Sequence, residues 1–210
     1  MAGMQTPPLR TAGLVLAAGG GTRYGRPKAL VRDDAGRSWL RHAVDVLSAS
    51  GCSPVIVVLG ARGTEAAELL AQTEPASPRP VPTPSVLVVQ TDDWAEGLSA
   101  SLRAGLLCAL DQPDLLAVAV IPVDVPDLNT ATIARVLGAA PLAEISEKTL
   151  RQARFAGRPG HPVLIGRAHW APLIAGAVGD TGAGPYLRAH AAEAIECGDL
   201  GTGRDIDRPH

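Results

Sequence analysis

The sequence predicts an α/β fold, a Rossmann-like three-layer α/β/α sandwich with a mostly parallel sheet. First, short apolar runs of strand length alternate along the chain with segments whose apolar residues recur at helical spacing. Second, the first apolar run ends in three consecutive glycines, as a strand does when it opens into a ligand-binding loop. Third, apolar residues make up 46% of the 210 residues and aromatic residues only 3%, so the core must be packed from aliphatic side chains.

The first half of the chain predicts strands and helices in strict alternation. Leu40, Ala43, Val44 and Leu47 recur at helical spacing, and Gly51 ends that helix. This alternation implies parallel strands with helices on both faces of the sheet. The predicted strands are Thr11–Ala18, Pro54–Gly60 and Val86–Gln90, and the predicted helices are Ser38–Ser50, Thr64–Gln72 with Thr64 as its N-cap, and Gly97–Leu110.

The second half predicts a small antiparallel hairpin inserted in the sheet. The run Leu115–Val123 is the most apolar of all and predicts a buried strand that ends at Asp124. Lys148–Phe155 and Pro162–Ile165 are predicted strands around a turn at Ala156–His161. The other predictions are a proline-rich surface loop at Thr73–Ser85, helices at Asn129–Leu137 (capped by Asn129 or Thr130) and Pro185–Ala192, and a last strand at Ala194–Cys197.

Composition limits the classes of partner. Residues 1–10 are expected to be a flexible tail without the apolar core of a signal peptide, and residues 11–207 to form a single domain. A formal charge of −2 with both signs dispersed predicts neither nucleic acid nor a membrane surface as partner. Cys52, Cys108 and Cys197 lack the spacing of a zinc site or a disulfide framework, which favours a cytoplasmic protein.

The glycine-rich loop after the first strand predicts a phosphate site. Gly19, Gly20 and Gly21 carry no side chains, so backbone N–H groups can close on phosphate oxygens. Arg23 and Lys28 add positive charge that suits a triphosphate. A plain strand-to-helix turn is the alternative for the glycines alone.

Two common phosphate loops do not match this segment. The dinucleotide fingerprint needs a small residue where Tyr24 stands. The Walker loop needs Lys followed by Ser or Thr after its second glycine, whereas Arg26 and Pro27 follow Gly25. Pro27 has no hydroxyl group with which to hold Mg²⁺.

The segment LAAGGGTRYGRPK, residues 16–28, resembles the LAAGxSxRMGxxK signature of MobA/MocA-like nucleotidyltransferases, the molybdenum-cofactor guanylyl- and cytidylyltransferases and their relatives. Tyr24 replaces the usual Met. The resemblance implies a nucleotide-diphospho-sugar transferase-like sheet. The nucleotide-binding residues that it implies here are Leu16, Ala17, Ala18, Gly19, Gly20, Gly21, Thr22, Arg23 and Lys28.

A second segment, DWAEGLSAS at residues 93–101, resembles the family's N-x-W-x-x-G-[ML]-x-x-S segment, with Asp93 near the usual Asn. The resemblance adds Asp93, Gly97, Ser99 and Ser101 to the nucleotide site. Physically, this is a helix N-terminus whose free N–H groups and hydroxyls can face a nucleotide. The alternative is that the two serines only cap the helix.

Two aspartates are candidate metal ligands. Asp124 ends a fully apolar strand, where a carboxylate is costly unless it is paired or metal-bound, and Mg²⁺ favours one or two carboxylates plus phosphate oxygens. The surrounding IPVDVP resembles the family's [LP]-x-D-x-P segment. Asp205, in the segment DID that resembles the family's D-I-D-T-P-x-D, is implied as the second Mg²⁺ ligand. The alternatives are a capping Asp124 and a solvated acidic tail at Asp205.

Two further segments point to the acceptor. RPGHP, residues 158–162, resembles the R-x-G-H-P segment of the MocA-like branch and implies acceptor contacts for Gly160 and His161. GDTG, residues 179–182, resembles the G-D-x-G segment of the same branch and adds Asp180. The alternatives are a structural histidine and a carboxylate that only shapes a turn.

Together these segments predict a Mg²⁺-dependent nucleotidyltransferase with Arg23, Lys28 and Asp124 as catalytic residues. An NTP, CTP rather than GTP by the resemblance, would donate its nucleoside monophosphate to a phosphorylated acceptor such as molybdopterin and release pyrophosphate. A molybdoenzyme or its chaperone is a further implied partner. The alternatives are guanylyl transfer, a non-catalytic accessory protein that binds nucleotide or pterin, and a nicotinamide-dependent oxidoreductase. The last is disfavoured by Tyr24 and by Leu59 and Gly60, where an acidic residue would be needed.

Overall fold

The structure of the protein is a computed structural model that describes residues 10–72, 85–138 and 144–208. The predicted tail at residues 1–10, apart from its last residue, and the proline-rich loop at 73–85, apart from Ser85, lie outside the described residues. The strands are β1 (Arg10–Ala17), β2 (Val55–Leu59), β3 (Val86–Gln90), β4 (Leu115–Pro122), β5 (Leu150–Phe155), β6 (Arg158–Gly166) and β7 (Glu193–Glu196). The helices are α1 (Trp39–Ala49), α2 (Gly63–Ala71), α3 (Leu98–Leu110), α4 (Thr130–Leu137), α5 (Trp170–Gly176) and α6 (Gly184–Ala189).

The strands form one sheet in the order β3-β2-β1-β4-β6-β5-β7. The ladders β1–β2, β1–β4, β2–β3 and β5–β7 are parallel, whereas β6 pairs antiparallel with both β4 and β5. Among the described strands, only β6 therefore runs against the others. The predicted mostly parallel sheet with an antiparallel hairpin is confirmed.

Helices cover both faces of the sheet. Side chains alternate along β1: Val15 and Ala17 pack with α1, α2 and α4 on one face, and Leu14 and Leu16 pack with α3, α5 and α6 on the other. Both clusters are mainly aliphatic, with Trp39 and Phe155 in the first and Trp170 in the second. The three-layer sandwich follows because β1, β2 and β4 are apolar on both faces.

Local sequence signals set the ends of several helices. The Ser38 side chain accepts a hydrogen bond from the Arg41 N–H and begins α1, and the Asn129 side chain accepts one from the Thr132 N–H and begins α4. The prediction of Thr64 as the cap of α2 was wrong. That helix begins at Gly63, preceded by Arg62 in the left-handed region at φ 53°, and it has no side-chain cap.

The predicted turn at Ala156–His161 was also wrong. Phe155 pairs directly with Arg158, so the turn consists of Ala156 and Gly157 alone, both at positive φ (51° and 77°). Two left-handed residues in a row suit the twist of a two-residue hairpin. Gly160 and His161 consequently lie inside β6 and not in a loop.

Candidate active site

A cleft of about 580 Å³ opens where β1 and β4 end. These neighbouring strands are parallel, so the loops that leave their carboxyl ends meet at one edge of the sheet, where α/β proteins bind ligands. The sequence-predicted residues that line the cleft are Leu16, Ala17, Ala18, Gly19, Gly20, Gly21, Thr22, Arg23, Lys28, Gly97, Ser101, Asp124, Asp180 and Asp205. Asp93, Ser99, Gly160 and His161 do not belong to its lining.

The three consecutive glycines of the loop differ in what surrounds their Cα atoms. Gly21 has φ +63°, its carbonyl oxygen accepts the N–H groups of Tyr24 and Gly25, and a Cβ there would overlap the carbonyl oxygen of Arg26. A Cβ on Gly20 would lie 3.0 Å from the Trp94 ring. Gly19 has no atom within 4 Å of its Cβ position, so its backbone stays open to a ligand.

Lys28 links the glycine-rich loop to two carboxylates. Its Nζ donates to Asp124 Oδ2 at 2.6 Å and to Asp207 Oδ1 at 2.8 Å. Arg23 Nη1 lies 3.5 Å from the other oxygen of Asp207. Burial alone would lower the pKa of Lys28, but the hydrogen bonds to Asp124 and Asp207 outweigh it and raise that pKa above the ordinary value. The side chain therefore stays cationic at neutral pH.

Asp124 retains one free oxygen in the cleft wall. Its side chain is only 17% exposed, and within residues 10–72, 85–138 and 144–208 its buried Oδ1 has no hydrogen-bond partner. A buried oxygen without a partner is costly unless a ligand completes it. The described residues contain no group of three or more His, Cys, Asp or Glu side chains that could hold a metal. Asp124 and Asp205 both line the cleft, and their carboxylate oxygens are of the kind that would suit a hard cation together with phosphate oxygens of a substrate.

The C-terminal segment is held against the cleft. The Ile206 N–H donates to the Asp124 carbonyl oxygen at 2.9 Å, directly beside Asp205. Thr202 donates its N–H and its hydroxyl to Asp127 Oδ2, at 2.8 and 2.6 Å. These bonds bring Asp205 to the cleft although its side chain is exposed.

The start of α3 forms another wall. Gly97 has φ +110°, and a Cβ there would overlap Asp180 Oδ1. Asp180, expected from the resemblance to meet the acceptor, thus lies beside the helix that was expected to meet the nucleotide. The alternative of Ser99 and Ser101 as caps was wrong, because α3 begins at Leu98 with Gly97 as its N-cap residue and no side-chain cap. Ser99 is fully buried, and its hydroxyl has no partner among the described residues.

His161 and Gly160 lie in β6, outside the lining of the cleft. Burial lowers the pKa of His161 below its ordinary value, and the nearby Asp124 and Asp205 carboxylates offset this only in part, so the imidazole is neutral at neutral pH. A Cβ on Gly160 would lie 2.8 Å from the Phe155 ring, which gives this glycine a packing role.

Seven residues of the cleft lining were not among the predicted site residues, and two of them, Trp94 and Asp207, make contacts that matter for binding. Trp94 lines the cleft beside Gly20, and Asp207 binds both Lys28 and Arg23. Trp94 belongs to the segment DWAEGLSAS and Asp207 to the segment DID, so both segments were identified although these two residues were not chosen from them.

Among the described residues, no helix combines the length and the apolar composition that a membrane span requires.

Comparison with known proteins places residues 13–194 in a family, and Asp205 and Asp207 lie beyond that match. The family model described as MobA-like NTP transferase domain matches residues 13–194. Nicotine blue oxidoreductase of Paenarthrobacter nicotinovorans is 35% identical over 202 residues, which cover 93% of this chain and 91% of that protein.

Solved structures share the fold. Rv0371c of Mycobacterium tuberculosis H37Rv superposes with a TM-score of 0.70 at 25% identity, over 95% of this chain and 94% of that one. A structure of Rv0371c in complex with manganese gives a TM-score of 0.60 over 90% and 88% of the two chains. A nucleotidyl transferase of Methanothermobacter, Mth528, gives 0.72 at 22% identity, over 95% and 92%, which bears on the fold alone.

Proposed function

Since the chain belongs to the MobA-like NTP transferase family and is a nucleotidyltransferase by that membership, we propose that it transfers a nucleoside monophosphate from CTP to the phosphate of a small acceptor such as molybdopterin. The single observation that carries this proposal is the convergence, in one cleft, of the glycine-rich loop, Lys28 and the half-satisfied carboxylate of Asp124. A molybdoenzyme or its chaperone would receive the product. The free thiols of Cys52, Cys108 and Cys197 suit a reducing, cytoplasmic setting.

The reaction needs positioning more than acid or base chemistry. An acceptor phosphate oxygen, already ionised, attacks the α-phosphorus; the new P–O bond forms as the bond from the α-phosphorus to the bridging oxygen breaks, and pyrophosphate leaves. Backbone N–H groups of Gly19 and Gly20, with Arg23 and Lys28, would neutralise the triphosphate and hold it in line. No protein nucleophile takes part.

A divalent cation completes the charge balance. Asp124 and Asp205 would hold it, and when bound it neutralises charge on the phosphates. Mg²⁺ is the ion we propose, and the manganese complex of Rv0371c supports a divalent ion in a relative. Lys28 would hold Asp124 in place through its Oδ2, at 2.6 Å, and leave its Oδ1 available to the cation.

The choice of CTP as the nucleotide donor rests on the resemblance of RPGHP to the MocA-like branch. The alternative is guanylyl transfer to the same or another small phosphate acceptor. A non-catalytic accessory role is a further alternative. An Asp124→Ala variant separates enzyme from accessory protein, because a transferase loses its turnover while largely keeping its stability, whereas an accessory protein has no turnover to lose.

The decisive experiment follows pyrophosphate release with each of the four NTPs, Mg²⁺ and molybdopterin. We expect release with CTP above the other nucleotides and none from Asp124→Ala. Absence of release with any NTP overturns transfer to this acceptor.

An oxidoreductase is the second candidate, because a relative 35% identical over 202 residues is named nicotine blue oxidoreductase. Against it, β2 ends at Leu59 without an acidic residue to bind the adenosine ribose of a nicotinamide dinucleotide, and Tyr24 occupies the loop. Calorimetry with NADH and NADPH tests it. Binding tighter than that of CTP, together with hydride transfer to a dye, would favour this candidate over the transferase.

A further inference from the structure

Asp207 occupies the position of an anion between the two cations of the cleft. One of its oxygens accepts from Lys28 Nζ at 2.8 Å, and the other faces Arg23 Nη1 at 3.5 Å. A carboxylate that offers each oxygen to a separate cation satisfies them as two phosphate oxygens would. The cations that would bind a triphosphate are thus already neutralised within the protein.

The two carboxylates that bind Lys28, those of Asp124 and Asp207, differ in how far they are exposed to water. The Asp124 side chain is 17% exposed and lies two residues after the central strand β4, whereas the Asp207 side chain is 48% exposed and lies on the C-terminal segment. Arg23 is 75% exposed. Exposed ion pairs are weak, because water screens them and ordering the side chains opposes them. Asp207 is therefore the partner that a stronger anion can remove.

The Asp207 side chain can leave the two cations while the backbone of its segment and the sheet stay in place. That segment is fixed by the Ile206 N–H on the Asp124 carbonyl oxygen, one residue before Asp207, and by Thr202 on Asp127. Asp207 itself meets the cleft through its side chain. A rotation of that side chain releases its contacts to Lys28 and Arg23, while Lys28 keeps its hydrogen bond to Asp124.

We propose that Asp207 is an internal competitor of the nucleotide: it holds Lys28 and Arg23 in the free protein, and the phosphates of the NTP displace it. This rests on the proposed function, since it takes the two cations to be the triphosphate site. Asp207 then keeps both cations oriented towards the cleft. Ligands of low negative charge do not displace it and therefore do not bind to the two cations. The apparent affinity for the NTP is reduced by the fraction of molecules in which Asp207 is bound.

The test is metal-free binding of tripolyphosphate, which isolates the phosphate contacts from the base and from any metal ligand. Calorimetry in EDTA compares the wild type with Asp207→Asn and Asp207→Ser, both checked by thermal unfolding. We expect each variant to bind about fivefold more tightly, the size of a weak exposed pair.

Two matched controls remove one carboxylate charge each. Asp205→Asn changes the cleft charge two residues away, and Asp199→Asn breaks an exposed pair with Arg135 elsewhere on the same segment. Neither variant should tighten binding by more than about half the Asp207 effect. Equal tightening by Asp205→Asn overturns the proposal in favour of a general charge effect, and unchanged or weaker binding by both Asp207 variants also overturns it.

The failure of this proposal is distinguishable from failure of the transferase proposal. Pyrophosphate release by the wild type without tightening in the Asp207 variants leaves the enzyme standing and removes the competitor. Tightening without pyrophosphate release from any NTP leaves Asp207 as an anion competitor in a protein that does not transfer nucleotides to this acceptor.

Discussion

The amino group of Lys28 lies 2.6 Å from a carboxylate oxygen of Asp124 and so ties the glycine-rich loop to the end of β4. The contact joins residues 96 positions apart, and both side chains are largely buried. A buried ion pair is maintained only where other groups satisfy its remaining charges, and Asp207 does this for Lys28 with its Oδ1 at 2.8 Å.

Replacing Lys28 with methionine tests this link. The substitution keeps the apolar stem and removes the charge, so we expect kcat/KM for the NTP to fall about 100-fold, the usual cost of one positioned donor on developing charge. Lys148→Met is the matched control, since Lys148 is the other lysine of the sequence and is exposed. A Lys28→Met enzyme within twofold of the wild type would contradict the assignment.

Gly21→Ala should distort the loop. The residue has φ +63° and its Cβ would overlap the Arg26 carbonyl oxygen, so we expect the free energy of unfolding to fall by about 1–3 kcal/mol. Gly19→Ala, in the same loop with nothing within 4 Å of its Cβ, should change it by less than about 0.5 kcal/mol. Chemical denaturation of both variants provides the comparison, and equal losses would show that the local backbone geometry is not the cause.

The sequence could predict the sheet because β1, β2 and β4 are apolar on both faces and alternate with helices. The two-residue turn at Ala156 was not predicted, because alanine is not a residue type that indicates a positive φ. Helix α5 escaped because it is short, contains a proline and buries only Trp170 and Leu173.

The candidate site was predictable where its residues are adjacent in sequence, as in the loop 16–28. The partnership of Lys28 with Asp207 spans 179 positions, and no local pattern reports which of two aspartates faces a given lysine. Similarly, Asp180 next to Gly97 follows from the packing of α3 against the turn at Gly179–Thr181, not from either motif.

Trp94 should report nucleotide binding. Its ring packs against Gly20 and lines the cleft, so a nucleotide there changes the ring's exposure to water. We expect NTP addition to shift the emission of the wild type and of Trp39→Phe, and to leave that of Trp94→Phe unchanged although calorimetry still detects binding. Persistence of the shift in Trp94→Phe would place the nucleotide elsewhere.

Glu196 should make stability depend on acid pH. Its carboxylate accepts the N–H groups of Gly198, Gly157 and Ala156, which hold its pKa below the ordinary value of 4.5. A lowered pKa in the folded state stabilises the fold above that ordinary value, and the contribution is lost as pH falls through the lowered pKa. We expect Glu196→Gln to melt below the wild type at neutral pH, with a smaller difference at about pH 3. An exposed carboxylate, Glu144→Gln, is the control, and a difference that does not shrink in acid contradicts this account.

Gly203 fixes the path of the C-terminal segment that carries Asp205 and Asp207. It has φ +60°, and a Cβ there would overlap the Phe155 ring, so Gly203→Ala must push the segment away from β5. Gly201 lies in the same segment, and its Cβ would meet Asp127 Oδ2 at 3.6 Å, an ordinary contact.

We expect Gly203→Ala to raise the Mg²⁺ concentration needed for half-maximal pyrophosphate release about tenfold, because a displaced Asp205 contributes less to the metal. Gly201→Ala should stay within twofold of the wild type. Because the overlap involves the Phe155 ring, Phe155→Leu combined with Gly203→Ala should restore part of the loss. A Gly203→Ala enzyme with unchanged Mg²⁺ dependence would contradict this account of the segment, and the Phe155→Leu double variant shows whether the ring is what displaces it.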